Sequence, residues 1–446
     1  STPSNSSAAS DVYKRQLPQL IEQAGLKYFM TTKLSWNQYN RLPYDSFWWQ
    51  GLDGTQVLTH FITTPDVGGS WYNTYNGDLS PRLIIGTWRN YQQKETHSEL
   101  LTAFGWGDGG GGPTREMVEN GQRLTNHPGA PRVRLGSAGE FFRNLETRAG
   151  ERLPVWNGEL YLEYHRGTYT SQAHIKRANR KCEFLLHDAE FLAAWAALAT
   201  DYEYPHAELT RAWELLCLNQ FHDIIPGSSI GAVYSESLQQ YERIGRIVEE
   251  VKARALSCIA GAAGGRIILA NPIAFGRSEP VLWNGSLAAG ESLCGPDGRD
   301  LPTQPIEAGT LVDAGALEPL SITPLTIETA NSQTEPGRMG FSPCSPEGPT
   351  SPSAWAEAHP TQLENGLLRV EFNADGDIVR IYDKECDREV LSDGAVANQF
   401  QAFEDRPVNW DAWDVDIFYD DKMWTSEPAR SVRVVEEGPL RAAIEI

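Results

Sequence analysis

The chain has 446 residues, 40% of them apolar and 22% charged, with a formal net charge of −21 at pH 7. That length exceeds one ordinary core and predicts two to four domains of soluble globular composition. The acidic balance argues against a nucleic-acid partner, and the absence of any run of about 18 apolar residues argues against a membrane.

Ser1 to Ala9 is Ser-rich, does not open on Met and lacks the charged-then-apolar order of a signal peptide. Asp11-Val12-Tyr13-Lys14-Arg15-Gln16 resembles a translated sequencing adaptor, so residues 1–16 are expected to be a non-native tail. The C-terminal Ala442-Ala443-Ile444-Glu445-Ile446 stops inside a strand pattern, and both ends suggest a truncated gene. From Leu17 onward helix and strand alternate: a helix opens at Leu17 and ends at Gly25, and strands are expected at Lys27–Thr31, Gln56–Phe61, Leu101–Phe104 and Arg132–Leu135. Arg115 to Leu124 reads as helix, and Ser137, with Glu140 three residues on, reads as a capping box for a helix through Leu145. Such alternation implies an α/β fold with a parallel barrel or sheet over residues 17–153.

Residues 154–264 read as a helical bundle, with helices over His174–Leu198, Ala207–Asn219 and Gly231–Ile259. Residues 265–446 read as an incomplete β-sandwich region. Arg266–Ala270 opens it, a Pro/Ser/Gly-rich linker occupies 331–361, and a hairpin joins Leu367–Phe372 to Ile378–Tyr382 through Asp375-Gly376. The fold class is therefore multidomain α/β, then α, then β. The six cysteines are scattered without a CxxC pair, which favours reduced thiols in a cytoplasmic protein.

Four segments carry chemistry. In Asn219–Ile230, His222 and Asp223 stand where Pro226 and Gly227 end a helix; an imidazole beside a carboxylate suits zinc, and equally suits a capped helix end. In Phe104–Thr114 a strand runs into Gly107-Asp108-Gly109-Gly110-Gly111-Gly112, and the lone acid Asp108 could donate a proton to a glycosidic oxygen; a flexible glycine turn is the plain alternative, and no GK[ST] follows to make it a phosphate loop. Trp156–Thr170, which includes Tyr169, mixes aromatic and hydrogen-bonding side chains that suit a polyhydroxylated ligand or a buried domain junction. Thr32–Asn37, with Trp36 and Asn37 just after a strand, and Phe47–Gly54 downstream, suit sugar stacking or core packing.

Together these segments resemble the α-mannosidases of glycoside hydrolase family 38, from Leu17 to the end apart from the linker. The resemblance implies a zinc-bearing α/β barrel, a three-helix bundle and β-sandwich domains. It also implies a zinc-dependent retaining hydrolase acting on terminal α-mannosides of oligosaccharides or glycans. It places Asp108 as the acid/base, His222 as a zinc ligand, Asp223 against sugar hydroxyls and Tyr169 in the lining. The family's other zinc ligands and its nucleophilic aspartate are expected upstream of Leu17 and have no counterpart here, so this stretch alone is expected to be nearly inactive. A mannose-containing oligosaccharide is the expected partner, and a homo-oligomer is compatible with the sequence. The rival readings are a non-catalytic carbohydrate-binding or scaffolding protein and, more distantly, a zinc deacetylase on a related barrel.

Overall fold

The computed structural model of the protein describes residues 14–107, 109–329 and 361–446. The chain forms two units. Of the described residues, the first unit holds those up to Arg180 together with Leu216–Tyr241 and Asp405–Phe418; the second holds Lys181–Leu215, Glu242–Glu404 and Tyr419–Ile446.

The first unit opens with helix α1 (Leu17–Gln23), which has Pro18 in its first turn. The sheet comprises β1 (Tyr28–Thr31), β2 (Ser46–Gln50), β3 (Gln56–Phe61) and β4 (Val155–Asn157), in the order β1-β3-β2-β4. β1 runs parallel to β3 and β4 parallel to β2, but β2 and β3 are antiparallel. This corrects the expectation of an all-parallel sheet at this point. Only five residues, 51–55, separate β2 from β3, enough for a hairpin and far too few for a crossover. Gly54, at φ +90°, closes that turn.

Side-chain alternation gives the sheet two apolar faces. Phe47, Trp49 and Phe61 pack with Leu160, Leu162 and Tyr164 on one face. Leu58 meets Phe141, Phe142 and Leu145 on the other, delivered by α4 (Ala138–Ala149). Before it come α2 (Pro81–Asn90) and α3 (Arg115–Arg123). Ser137 caps α4 by accepting from the Glu140 N–H at 3.2 Å, yet the reciprocal half of the expected capping box is absent, because the Glu140 carboxylate pairs with Arg134 instead. The expected strands at 101–104 and 132–135 do not form. Phe104 makes an isolated bridge to Gly77, and Arg132–Leu135 is irregular. Both runs are short, and among the described residues no neighbouring strand completes a ladder with them.

The three long helices are α5 (Ala173–Ala199), α6 (His206–Asn219) and α7 (Gly231–Ala262), within a residue or three of expectation. No described helix is long and apolar enough to cross a membrane.

In the second unit, β5 (Ile267–Asn271), β7 (Glu291–Cys294) and β10 (Ser321–Thr329) form one sheet, and β6 (Val281–Trp283), β8 (Thr303–Ile306) and β9 (Gly309–Val312) another. Both bury one cluster of Leu269, Leu293, Val312 and Leu325. The expected hairpin is present within a four-stranded sheet of β11 (Thr361–Glu364), β12 (Leu368–Phe372), β13 (Ile378–Asp383) and β14 (Arg388–Glu389); β12 and β13 pair antiparallel around Gly376 at φ +88°. The linker expected at 331–361 and the tail at 1–16 lie almost wholly outside the described residues, although Thr361 already belongs to β11.

Candidate functional site

The His222–Asp223 segment follows α6 directly. Asn219, 1% exposed, fixes the helix end by donating from Nδ2 to Gln240 Oε1 at 2.7 Å and accepting from Ser237 Oγ. Beyond it the chain turns: Ile224 N–H and Ile225 N–H both donate to Phe221 O, and Ser229 Oγ donates to Asp223 O at 2.5 Å. His222 Nε2 lies 3.5 Å from Asp223 Oδ2, and both side chains remain substantially exposed, at 41% and 50%. The Phe221 ring packs on the His222 ring at 4.3 Å between centroids.

This turn is stapled to the segment that carries Tyr169. Lys176 Nζ donates to Ser171 O at 2.5 Å and to Ile225 O at 2.7 Å. Burial pulls its ammonium down to about 8. Gly227, at φ +96°, sits so close to Ser171 that an added Cβ would lie 2.6 Å from its carbonyl oxygen. The structure therefore brings the second half of the Asn219–Ile230 segment against Ser171, one residue past the end of the Trp156–Thr170 segment. Tyr169 itself is 43% exposed, and partial burial, with Tyr161 and Glu159 nearby, pushes its hydroxyl up to about 12. Lys176→Met would remove both staple bonds. We expect it to lower unfolding stability by about 2 kcal/mol, read by urea denaturation at pH 7; a midpoint equal to wild type would show the staple to be dispensable.

Asp108 lies outside the described residues. Its flanks form a bridged glycine turn. Trp106 pairs with Gly111, Gly107 N–H donates to Asn76 Oδ1 at 2.8 Å, and Gly105, Gly109 and Gly111 all hold positive φ. The glycines are thus required by the backbone itself.

Thr32–Asn37 divides into two roles. Asn37, 1% exposed, is a clasp: its Nδ2 donates to Asn40 O and Tyr161 O, and its Oδ1 accepts from Glu163 N–H. A residue enclosed by its own backbone contacts has no free group for a ligand, so Asn37 belongs to packing. Trp36 instead joins a row of rings. It packs at a tilt on Tyr72 at 4.6 Å and meets His165 edge-on at 5.9 Å; Trp71 continues the row from Tyr72 at 5.7 Å. Of the downstream pair, Trp49 is fully buried and bonds Gly158 O, and Trp48 bonds Gly150 O.

Sequence reasoning missed Asp405–Phe418. This segment belongs to the first unit, where Trp413 O accepts from Gly167 N–H at 2.7 Å and Ala412 O from Ser171 Oγ at 2.9 Å. The Trp413 ring lies 4.8 Å from His165, Asp414 pairs with Arg166 at 3.5 Å, and Tyr39 O–H donates to Asp416. Burial raises the Asp414 carboxyl, opposed by Arg166. The available signal was the density of Trp410-Asp411-Ala412-Trp413-Asp414, two indoles and two carboxylates inside a β-patterned region.

For a metal, the fit is incomplete. Structural and catalytic zinc sites take three or four protein donors, and among the described residues no group of three His, Cys, Asp or Glu could hold one. His222 and Asp223 are at most two donors.

Three sequence-family models match in succession: the glycosyl hydrolases family 38 N-terminal domain over residues 11–159, the alpha mannosidase middle domain over 163–259, and the glycosyl hydrolases family 38 C-terminal domain over 363–446. Among curated relatives, the chain is 35% identical over 437 residues to alpha-mannosidase 2C1 of Homo sapiens, covering 97% of this chain and 38% of that protein. It is 30% identical over 450 residues to an alpha-mannosidase of Saccharomyces cerevisiae, covering 97% and 36%. The chain thus spans less than two fifths of the length of these relatives. An alpha-mannosidase crystal structure from Enterococcus faecalis V583 shares the fold, with a TM-score of 0.60 at 16% identity, over 97% of this chain and 53% of that one.

Proposed function

Because the chain belongs to glycosyl hydrolase family 38, we propose that the whole protein hydrolyses terminal α-mannosides of oligosaccharides or glycans by a retaining mechanism that depends on zinc. The observation that carries this reading is the junction of the Tyr169 segment with the His222–Asp223 turn through Ser171, Lys176 and Gly227, in a chain whose curated relatives are named alpha-mannosidases. That junction leaves the His222 imidazole and Asp223 carboxylate just past α6 and the Tyr169 phenol just ahead of α5, all partly exposed, groups that can bind and orient sugar hydroxyls.

In this reading Asp223 accepts from substrate hydroxyls and Tyr169 lines the ring. His222 is one zinc ligand, and the metal would orient sugar hydroxyls. The described residues do not complete that metal site, so no step is assigned to it. Asp108 is the acid/base, protonating the leaving oxygen and later deprotonating water, while a second carboxylate forms and releases the glycosyl-enzyme. For the fold, the same reading takes the β1–β4 sheet as part of a barrel and α5, α6 and α7 as a three-helix bundle.

The test is p-nitrophenyl α-mannoside hydrolysis by a protein that carries this chain at the length of its relatives. Asp108→Asn is expected to lower kcat about 10²- to 10⁴-fold with unfolding unchanged. His222→Ala is expected to lose zinc on dialysis, measured by elemental analysis. Full activity in the first variant would overturn the acid/base assignment, and full zinc content in the second the ligand assignment. A full-length protein that binds mannosides without cleaving them would leave carbohydrate binding as its function.

A further inference from the structure

Tyr169 ends a short 3₁₀ segment, Glu163–Tyr169, that is poorly able to hold its own shape. Such runs are uncommon beyond about three or four residues because their hydrogen bonds are poorly aligned. This one is also interrupted at His165, at φ −115° and ψ +16°. Support comes from Asp405–Phe418, which the chain inserts between β15 (Gln401–Phe403) and β16 (Met423–Thr425). That segment grips both flanks of Tyr169. Ahead of it, the Trp413 ring packs on His165, Asp414 pairs with Arg166, and Trp413 O accepts from Gly167 N–H. Behind it, Ala412 O accepts from Ser171 Oγ at 2.9 Å. The approach at Gly167 is close: an added Cβ would lie 2.9 Å from both Trp413 O and Asp414 O.

Backbone strain marks the same contact from both sides. Gln172, next to Ser171, holds φ +54°, and Trp410, shortly before Ala412, holds φ +60°. A left-handed conformation is costly for a residue with a Cβ and persists only where surrounding contacts over-determine it. Trp410 O accepts from both Trp413 N–H at 2.8 Å and Asp414 N–H at 3.0 Å, which fixes the turn that presents the Ala412 and Trp413 carbonyls.

Ser171 passes the restraint on. Its carbonyl accepts from Lys176 Nζ, which also donates to Ile225 O, and Gly227 packs against it. A shift of Ser171 therefore disturbs the Tyr169 phenol and the His222–Asp223 turn together. We propose that Asp405–Phe418 is a positioning strap that sets the placement of Tyr169 relative to the His222–Asp223 turn through the Ser171 Oγ–Ala412 O bond, with Ser171 as the positioning residue. The catalytic consequence rests on the glycoside reading above. The strap adds to that reading a segment that acts on the site through another residue and not on substrate.

The test uses protein that carries this chain at the length of its relatives and compares Ser171→Ala, Ser171→Thr and Gly167→Ala. Ser171→Ala removes the donor and leaves every group assigned to substrate in place. It is expected to lower kcat for p-nitrophenyl α-mannoside about tenfold or more, by misplacing those groups. Amide exchange at residues 165–172 and 220–230 should rise about fivefold or more, with thermal unfolding nearly unchanged. Ser171→Thr keeps the hydroxyl and should restore both. Gly167→Ala presses on the Trp413 and Asp414 carbonyls and should reproduce the Ser171→Ala pattern without touching Ser171; should it fail to fold, the Ser171 pair decides alone. A merely structural role would lower the folded fraction and leave kcat per folded molecule at the wild-type value. Wild-type kcat in Ser171→Ala, or a loss that Ser171→Thr does not restore, overturns the strap. Exchange that rises at 165–172 alone overturns the coupling to the His222 turn. If exchange rises in both stretches and Ser171→Thr restores it, while neither wild type nor any variant cleaves the mannoside, the strap stands and the mannoside reading falls.

Discussion

Acidification from pH 7.5 to 4.5 is expected to cost the first unit ~3 kcal/mol through His60 alone. His60 lies in β3 with no exposed surface, and burial, reinforced by His97, pushes its pKa from the ordinary 6.5 down to about 3. Its Nδ1 is 2.9 Å from Ser46 Oγ, whose other neighbour is the Tyr91 hydroxyl at 3.2 Å; its Nε2 has no partner among the described residues. His97, 7% exposed, is lowered by burial as well, with Glu99 opposing and Arg148 and Arg152 reinforcing. Phe141 packs against both imidazoles, and Asp45 is engaged by Gln92 rather than by either ring. A histidine held neutral in the fold but free to protonate when unfolded gives full stability above pH 6.5. That stability is lost as the pH falls from 6.5 toward 3, at about 1.4 kcal/mol per unit. Urea unfolding of wild type and His60→Gln at the two pH values isolates the effect from the carboxylates, which both proteins share. Wild type should lose ~3 kcal/mol more than the variant over the interval, and equal losses would show that His60 does not carry the acid sensitivity. Should His60→Gln fail to fold, His97→Gln is expected to show a smaller difference of the same sign.

Gly227→Val should be the most damaging single change at the candidate site. Two costs add. A residue with a branched Cβ at φ +96° is strained by about 1–3 kcal/mol. The added Cβ would also lie 2.6 Å from Ser171 O, 2.7 Å from Ser171 Cβ and 2.8 Å from Ser171 C, two of which are backbone and cannot swing aside. The turn must then lift from Ser171, which stretches the Lys176 bond to Ile225 O and moves His222 and Asp223 with it. We expect a loss of about 3 kcal/mol or more and faster amide exchange across 220–230, including where unfolding is otherwise negligible. Wild-type exchange in that turn would mean that close contact with Ser171 does not hold it. Gly25→Ala is the control: φ is also positive, at +74°, but no atom lies within 4 Å of an added Cβ, so only the conformational cost should appear.

Why some elements were legible and others not follows from the range of the forces involved. The helices α5, α6 and α7 and the β12–β13 hairpin declare themselves through local periodicity and turn chemistry, each decided by residues a few positions apart. Ser137 declared its cap for the same reason, but the fate of the Glu140 side chain depended on Arg134 and could not be read from spacing alone. β2 hid inside an aromatic run, because Ser-Phe-Trp-Trp-Gln buries both of its faces and shows no alternation. Leu101–Phe104 had strand composition but finds no strand partner among the described residues, and composition cannot supply one.

The candidate site divides along the same line. Residue identity and local spacing set out the chemistry on offer: the imidazole and carboxylate of His222 and Asp223 at a helix end broken by Pro226 and Gly227, the glycines around Asp108, and the family whose segments these are. Which groups are free to act depended on how the folded chain packs. It enclosed Asn37 as a clasp and left Trp71 open. It joined Ser171 to Ala412, 241 residues away. The reason is physical. Backbone preference and periodicity act over a turn or two, whereas burial and hydrogen-bond satisfaction depend on whatever the fold brings alongside, however distant in the chain.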